Sequence, residues 1–177
     1  ALDFSLQDWN WHFEVNVAGL FECCRLFARH FIQRATAAAE AGPRHHEAGV
    51  RIRGSIVNVA SNAGKVGYPN MAAYNASKAA VINLTRSLAA EWATHSINVN
   101  AVCPGGVATS MLRSVAEWVV EQAGGDADDM YHTMTPHQLG RHVQPAEVGR
   151  VVAFLLSDRA QIIRGQSINV DGGDTPY

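Results

Sequence analysis

The chain has 177 residues, 47% hydrophobic and 17% charged, so it can bury a sizeable core within the ordinary size of one domain. Its formal net charge of -2 at pH 7 supplies no basic field of the kind that holds nucleic acid by its phosphates. Apolar runs such as 148–156 are too short to cross a bilayer, and a cytoplasmic location away from membranes is expected.

Phe13, Val17, Leu20, Cys24, Phe27 and Phe31 recur at spacings of four, three, four, three and four, which predicts an amphipathic helix from about Ser5 to near Glu40. The chain enters this pattern soon after Ala1, with no initial Met, and reads as a sequence cut in the middle. Gly42-Pro43-Arg44-His45-His46-Glu47 interrupts the pattern with turn formers and charges and is expected as a surface loop. With no third ligand at suitable spacing, His45, His46 and Glu47 are assigned no metal. Cys23, Cys24 and Cys103 are odd in number and unpaired in spacing, so they read as small buried apolar residues rather than a disulfide framework or zinc site.

Three β-branched runs follow, at 55–60, 97–103 and 167–170, with helical patterns between them; that order predicts crossover units and a parallel sheet. In the first intervening helix Tyr74, Lys78, Val81, Thr85, Leu88 and Trp92 share one stripe, while the alanines from 72 to 80 keep its start slender enough to pack closely. The stretch 111–140 has a weaker pattern and is expected as one helix plus a mobile excursion. Pro145 suits the first turn of a last helix whose apolar face is Val148, Val151, Val152 and Leu155.

A tyrosine and a lysine four apart lie on one helix face, so the ammonium of Lys78 can sit beside the phenol of Tyr74. An adjacent positive charge favours the phenolate and makes the pair a usable general acid or base. The pair alone is a weak signal, since such spacings are common on helix surfaces. Ser61, thirteen residues before Tyr74, stands at a strand's C-terminal end, where open parallel sheets bind ligands. Serine there could equally cap a turn, and Thr109 could cap the next helix. Pro104-Gly105-Gly106-Val107-Ala108-Thr109 follows the second strand, and Asp171-Gly172-Gly173, read as a structural turn, follows the third.

Together Val15-Asn16-Val17-Ala18-Gly19, 56–64, Tyr74 to Lys78, 97–109 and 165–173 resemble, in order and over nearly the whole chain, the short-chain dehydrogenase/reductase family. The resemblance implies one α/β domain over 1–177, a Rossmann-type doubly wound parallel sheet incomplete at the N-terminus, with 110–142 covering substrate. It implies reversible alcohol–carbonyl oxidoreduction with NAD or NADP on a polyol, an acetoin-like compound or a 3-oxoacyl thioester. Carried over residue by residue, Tyr74 transfers the proton, Ser61 hydrogen-bonds the substrate oxygen, and Lys78 holds the nicotinamide ribose and eases ionisation of the tyrosine. Asn16 helps order a water in a relay behind Lys78, and Pro104, Gly105, Val107 and Thr109 line the nicotinamide end of the cofactor, with the Val107 backbone facing its carboxamide. Homodimers or homotetramers through the helices near 5–40 and 72–94 are implied as well.

The family's Gly-rich turn has no counterpart in the chain, so the choice between NAD and NADP has no sequence signal here. An upstream Gly-rich strand–turn–helix unit is expected, and the 177 residues alone are expected to aggregate or fold poorly and to show no measurable NAD(P) binding. Two rival readings are a noncatalytic dinucleotide sensor or scaffold on the same fold, and an oligomerisation module.

Overall fold

A computed structural model describes residues 1–40 and 52–175. The predicted loop at 42–47, with His45, His46 and Glu47, lies outside the described residues. Three strands, β1 (Gly54–Val59), β2 (Ile97–Pro104) and β3 (Ser167–Val170), form a parallel sheet in the order β1-β2-β3. Each begins and ends within a residue of the β-branched run that predicted it.

Both faces of the sheet are covered. Ile97, Val99, Ala101 and Cys103 of β2 pack with Cys24, Ala28, Val81, Ile82 and Leu88, which belong to α2 (Gly19–Glu40) and α3 (Ala72–Glu91). On the opposite face Val102 packs with Leu155 and Ala160, flanked by Val148, Val151 and Val152 of α6 (Pro145–Leu156). Residues alternate along a strand, so a central strand covered by helices on both sides must be apolar throughout or satisfy its polar residues. Asn98 and Asn100, each 1% exposed, do the latter. Both Nδ2 groups donate to the Ile163 carbonyl, at 2.9 and 2.7 Å, and Asn100 Oδ1 accepts from Gln166 N at 2.9 Å.

The long N-terminal helix is interrupted. α1 (Leu6–Phe13), capped by Ser5 Oγ accepting from Asp8 N at 3.0 Å, runs into a π-helical segment, Glu14–Ala18, before α2 begins. The buried line of α2 then follows Cys24 and Ala28, and Phe27, predicted in the apolar stripe, is 59% exposed. Among the cysteines, Cys24 and Cys103 are buried as expected and Cys23 is exposed. The weak pattern over 111–140 resolves into two helices rather than one, α4 (Ser110–Ala123) and α5 (Ala127–Thr133). Asp126 starts α5, its carboxylate accepting from Asp128 N and Asp129 N. Pro145 opens α6 as predicted, with Glu147 accepting from Gln144 N at 2.8 Å.

A short 3₁₀ turn, Asn62–Gly64, leads from β1 toward α3 and presses on the slender helix start. A Cβ on Gly64 would lie 2.7 Å from the carbonyl carbon and oxygen of Lys78, backbone atoms that cannot swing aside. Gly64→Ala is therefore expected to cost about 1–3 kcal/mol through overpacking. Urea unfolding should show a lower midpoint with an unchanged slope; an unaltered midpoint would show that the turn is not tightly seated.

Candidate active site

α3 carries Tyr74 in its first turn and Lys78 one turn later, and its buried line of Ser77, Val81, Thr85 and Leu88 fixes the rotation of both. The Lys78 ammonium stands 5.7 Å from the centroid of the Tyr74 ring and donates to the Val59 carbonyl at the end of β1, at 3.1 Å. The expected closeness of ammonium and phenol is present as a contact with the ring. Burial pushes the Lys78 ammonium below the ordinary lysine range.

Ser61 stands two residues beyond the end of β1, after Ala60, and is 7% exposed. Its Oγ caps the 3₁₀ turn by accepting from Ala63 N at 3.1 Å and lies 3.4 Å from Asn62 Oδ1 as a donor. The turn-capping role is thus observed, and it leaves the hydroxyl proton free to reorient. Asn16 sits in the π segment, where its Nδ2 donates to Ser77 Oγ at 3.0 Å, and Ser77 donates to the Tyr74 carbonyl at 2.8 Å. The N-terminal helix is thereby tied to the turn bearing Tyr74 and Lys78. Ser77, fully buried, had only its place before Lys78 as a signal.

The segment after β2 is also built locally. Val107 pairs with Val143, but the bonds are Ala108 N to the Val143 carbonyl, 2.8 Å, and Val143 N to the Gly106 carbonyl, 3.0 Å. In a parallel bridge this leaves the Val107 amide facing away from its partner. Thr109 caps α4 by accepting from Leu112 N at 3.3 Å and donates to the Val107 carbonyl. Pro104 ends β2, and a Cβ on Gly105 would be 2.6 Å from Asp171 Cβ, so the ends of β2 and β3 meet there.

The bridge also closes the base of the excursion formed by α4 and α5. Within it Arg113 stacks 4.4 Å above the Tyr131 ring, His142 lies 4.2 Å from that ring, and Arg113 pairs with Asp128. Among the described residues, Met130, His132, Met134 and His137 of this excursion make no hydrogen bond or ring contact with Ser61, Tyr74 or Lys78. Beyond it Asp171, 3% exposed, accepts from Gly173 N, Thr175 N and the Thr175 hydroxyl, a structural turn as expected. Among the described residues no group of His, Cys, Asp and Glu is gathered to hold a metal, and no helix is long and apolar enough to cross a membrane.

A parallel sheet covered on both faces, with Ser61, Tyr74, Lys78 and the 104–109 loop at its C-terminal edge, is a Rossmann-type α/β architecture. The family described as enoyl-(acyl carrier protein) reductase matches residues 1–175. The chain belongs to the short-chain dehydrogenase/reductase family. It is 38% identical over 177 residues to galactitol 2-dehydrogenase of Rhizobium johnstonii, covering 99% of this chain and 59% of that protein. It is 36% identical over 168 residues to the 3-oxoacyl-[acyl-carrier-protein] reductase FabG of Staphylococcus aureus, covering 94% and 57%. Among solved structures, sorbitol-6-phosphate 2-dehydrogenase from Erwinia amylovora superposes with a TM-score of 0.84 at 29% identity, over 99% of this chain and 63% of that one. NAD+-bound xylitol dehydrogenase gives 0.81 at 30% identity, over 97% and 62%. The chain thus spans about three-fifths of the length of these relatives.

The link between Asn16 and Ser77 can be measured. Asn16→Ala and Ser77→Ala should each cost about 0.5–1.5 kcal/mol, the usual net contribution of one hydrogen bond. In a double-mutant cycle the pair should couple by about 0.5–3 kcal/mol; additive losses would show that the two side chains do not interact.

Proposed function

We propose that the protein transfers hydride between NAD or NADP and an alcohol or carbonyl compound, with Tyr74 as the acid–base group. The observation that carries this reading is the seating of Tyr74 and Lys78 on one turn of α3, beside the Ser61 strand end. The family and its dehydrogenase and reductase members support it.

The 104–109 loop fits a nicotinamide. The Val107 amide faces away from its pairing partner and suits a carboxamide, with Pro104, Gly105 and Thr109 beside it. When bound, the dinucleotide supplies the hydride chemistry. In the oxidation direction Tyr74 takes the hydroxyl proton of the alcohol; in reduction it returns that proton to the same oxygen. Ser61 turns its hydroxyl from Asn62 Oδ1 to the substrate oxygen as charge develops there, a bond that strengthens in the transition state. Lys78 spends one N–H on the Val59 carbonyl and has two more for ribose hydroxyls. Asn16 anchors the segment behind Lys78, where a water relay would replenish the proton.

The full native protein is the material for the test. Tyr74→Phe is expected to lower turnover by about 10²–10⁴-fold with dinucleotide affinity nearly unchanged, since the ring stays and only the transferable proton is lost. Ser61→Ala should lower turnover by about 10²–10³-fold. Lys78→Met should weaken dinucleotide binding and move the pH dependence of turnover upward. Near-normal turnover of Tyr74→Phe would refute the mechanism.

We infer further that the protein pairs with a second copy through the helices near 5–40 and 72–94. Trp11, Val15, Leu26 and Phe27 are each more than half exposed, and Phe13, Val17, Ala18, Phe21 and Leu84 line an apolar cleft beside them. Exposed apolar surface of this kind marks an interaction face. Light scattering should report a dimer or tetramer that Phe27→Arg weakens; a monomeric parent protein would end this inference.

A further inference from the structure

Beside Ser61 lies a polar triangle that the proton chemistry does not use. Asn62, 5% exposed, donates from Nδ2 to the Tyr68 hydroxyl at 2.9 Å and to Asp174 Oδ2 at 3.1 Å. The Tyr68 hydroxyl donates to the same carboxylate oxygen at 3.4 Å, and Asn62 Oδ1 is the acceptor for Ser61. A single side-chain amide therefore stands between the Ser61 hydroxyl and the Asp174 carboxylate.

The triangle is held from several sides. Asn75, next to Tyr74, donates to the Tyr68 carbonyl at 2.9 Å, and Gln138 of the excursion donates to the Gly173 carbonyl at 3.0 Å. A Cβ on Gly105 would come within 3.3 Å of Asn62 Nδ2, so the triangle also abuts the loop after β2. Asp174 itself is exposed, and among the described residues no cation pairs with it and no donor reaches its Oδ1. Burial and the Asp174 charge both push the Tyr68 phenol up, which keeps it a neutral donor.

A fixed carboxylate with an open oxygen accepts hydrogen bonds and repels anions. Against an acyl chain it would be desolvated without a partner, which is unfavourable. A hydroxyl is the group that suits it. We propose that Asp174 is a specificity-determining residue that accepts, through Oδ1, a hydrogen bond from a hydroxyl remote from the reacting carbon, so that the site selects neutral polyhydroxylated alcohols and their ketoses over phosphate esters and acyl thioesters. From Ser61 the span is two hydrogen bonds and one amide, within reach of an extended pentitol or hexitol. This inference rests on the oxidoreductase reading above and names the substrate class of the same site.

Steady-state kinetics on the full native protein, with NAD and with NADP, test it on a hexitol, the hexitol 6-phosphate, 2-butanol and a 3-oxoacyl thioester. The parent protein should prefer the hexitol in kcat/KM. Asp174→Asn keeps an acceptor for Asn62 and Tyr68 and removes the charge. It should raise the hexitol KM about tenfold at little-changed kcat, as loss of a hydrogen bond to a charged group predicts. The same variant should raise kcat/KM for the hexitol phosphate. The ratio of hexitol to 2-butanol efficiency should fall correspondingly, and Asp174→Ala should lower it further. A ratio unmoved in both variants overturns the role of Asp174, as does a parent protein that prefers the phosphate, 2-butanol or the thioester. In those cases the oxidoreductase reading survives, whereas no turnover of any substrate with either dinucleotide overturns both.

Discussion

Everything at the sheet's C-terminal edge depends on how α3 lies against β1 and β2. Val81 and Leu88, with at most 2% exposure, set the apolar contact, and Thr85 between them adds a polar lock. Asn58 of β1 accepts from the Cys24 thiol at 3.2 Å and donates to Thr85 Oγ1 at 2.9 Å, so one satisfied chain joins α2, β1 and α3. Buried groups paired in this way resist sliding, because any shift would leave a donor or acceptor without water or partner. Rotation and height of α3 are thus fixed before Tyr74 and Lys78 are considered.

Lys65 and Lys78 are the only lysines in the sequence, and both donate to strand carbonyls: Lys65 to that of Ser167, which opens β3, at 2.8 Å, and Lys78 to that of Val59, which ends β1. Between them lies Cys103, whose thiol burial pushes up, so it remains a neutral filler in the core. Among the described arginines, Arg113 and Arg141 are committed to carboxylates on the excursion and at the start of α6. Planar guanidinium groups suit the clamping of carboxylates, and compact ammonium groups suit single carbonyl oxygens such as those of Ser167 and Val59.

The strands were legible because β2 and β3 need β-branched residues on two covered faces, and Pro145 marked α6 without help from packing. That Ser61, Tyr74 and Lys78 share one strand–turn–helix unit was legible because the unit is local in sequence, while the roles assigned to them came from the family resemblance. What stayed hidden depended on contacts distant in sequence. Nothing near Asn62 announces Asp174, which arrives 112 positions later, and Ser77 becomes a partner of Asn16 only when two helices cross. Phe27 misled because a regular spacing does not reveal which neighbour of a stripe, Phe27 or Ala28, the sheet can accommodate; the smaller one fits.

The π segment has a consequence of phase. A π turn holds one residue more than an α turn, and each residue advances the helix by about 100°. The faces of α1 and α2 are therefore offset by nearly a third of a rotation from those of an unbroken helix, so α1 can lean toward α3 while α2 keeps Cys24 and Ala28 on the sheet. One residue more or fewer between Glu14 and Ala18 would leave every local propensity intact. It would swing one half of the rod off its neighbour, so spacing in this stretch is constrained by count rather than by composition.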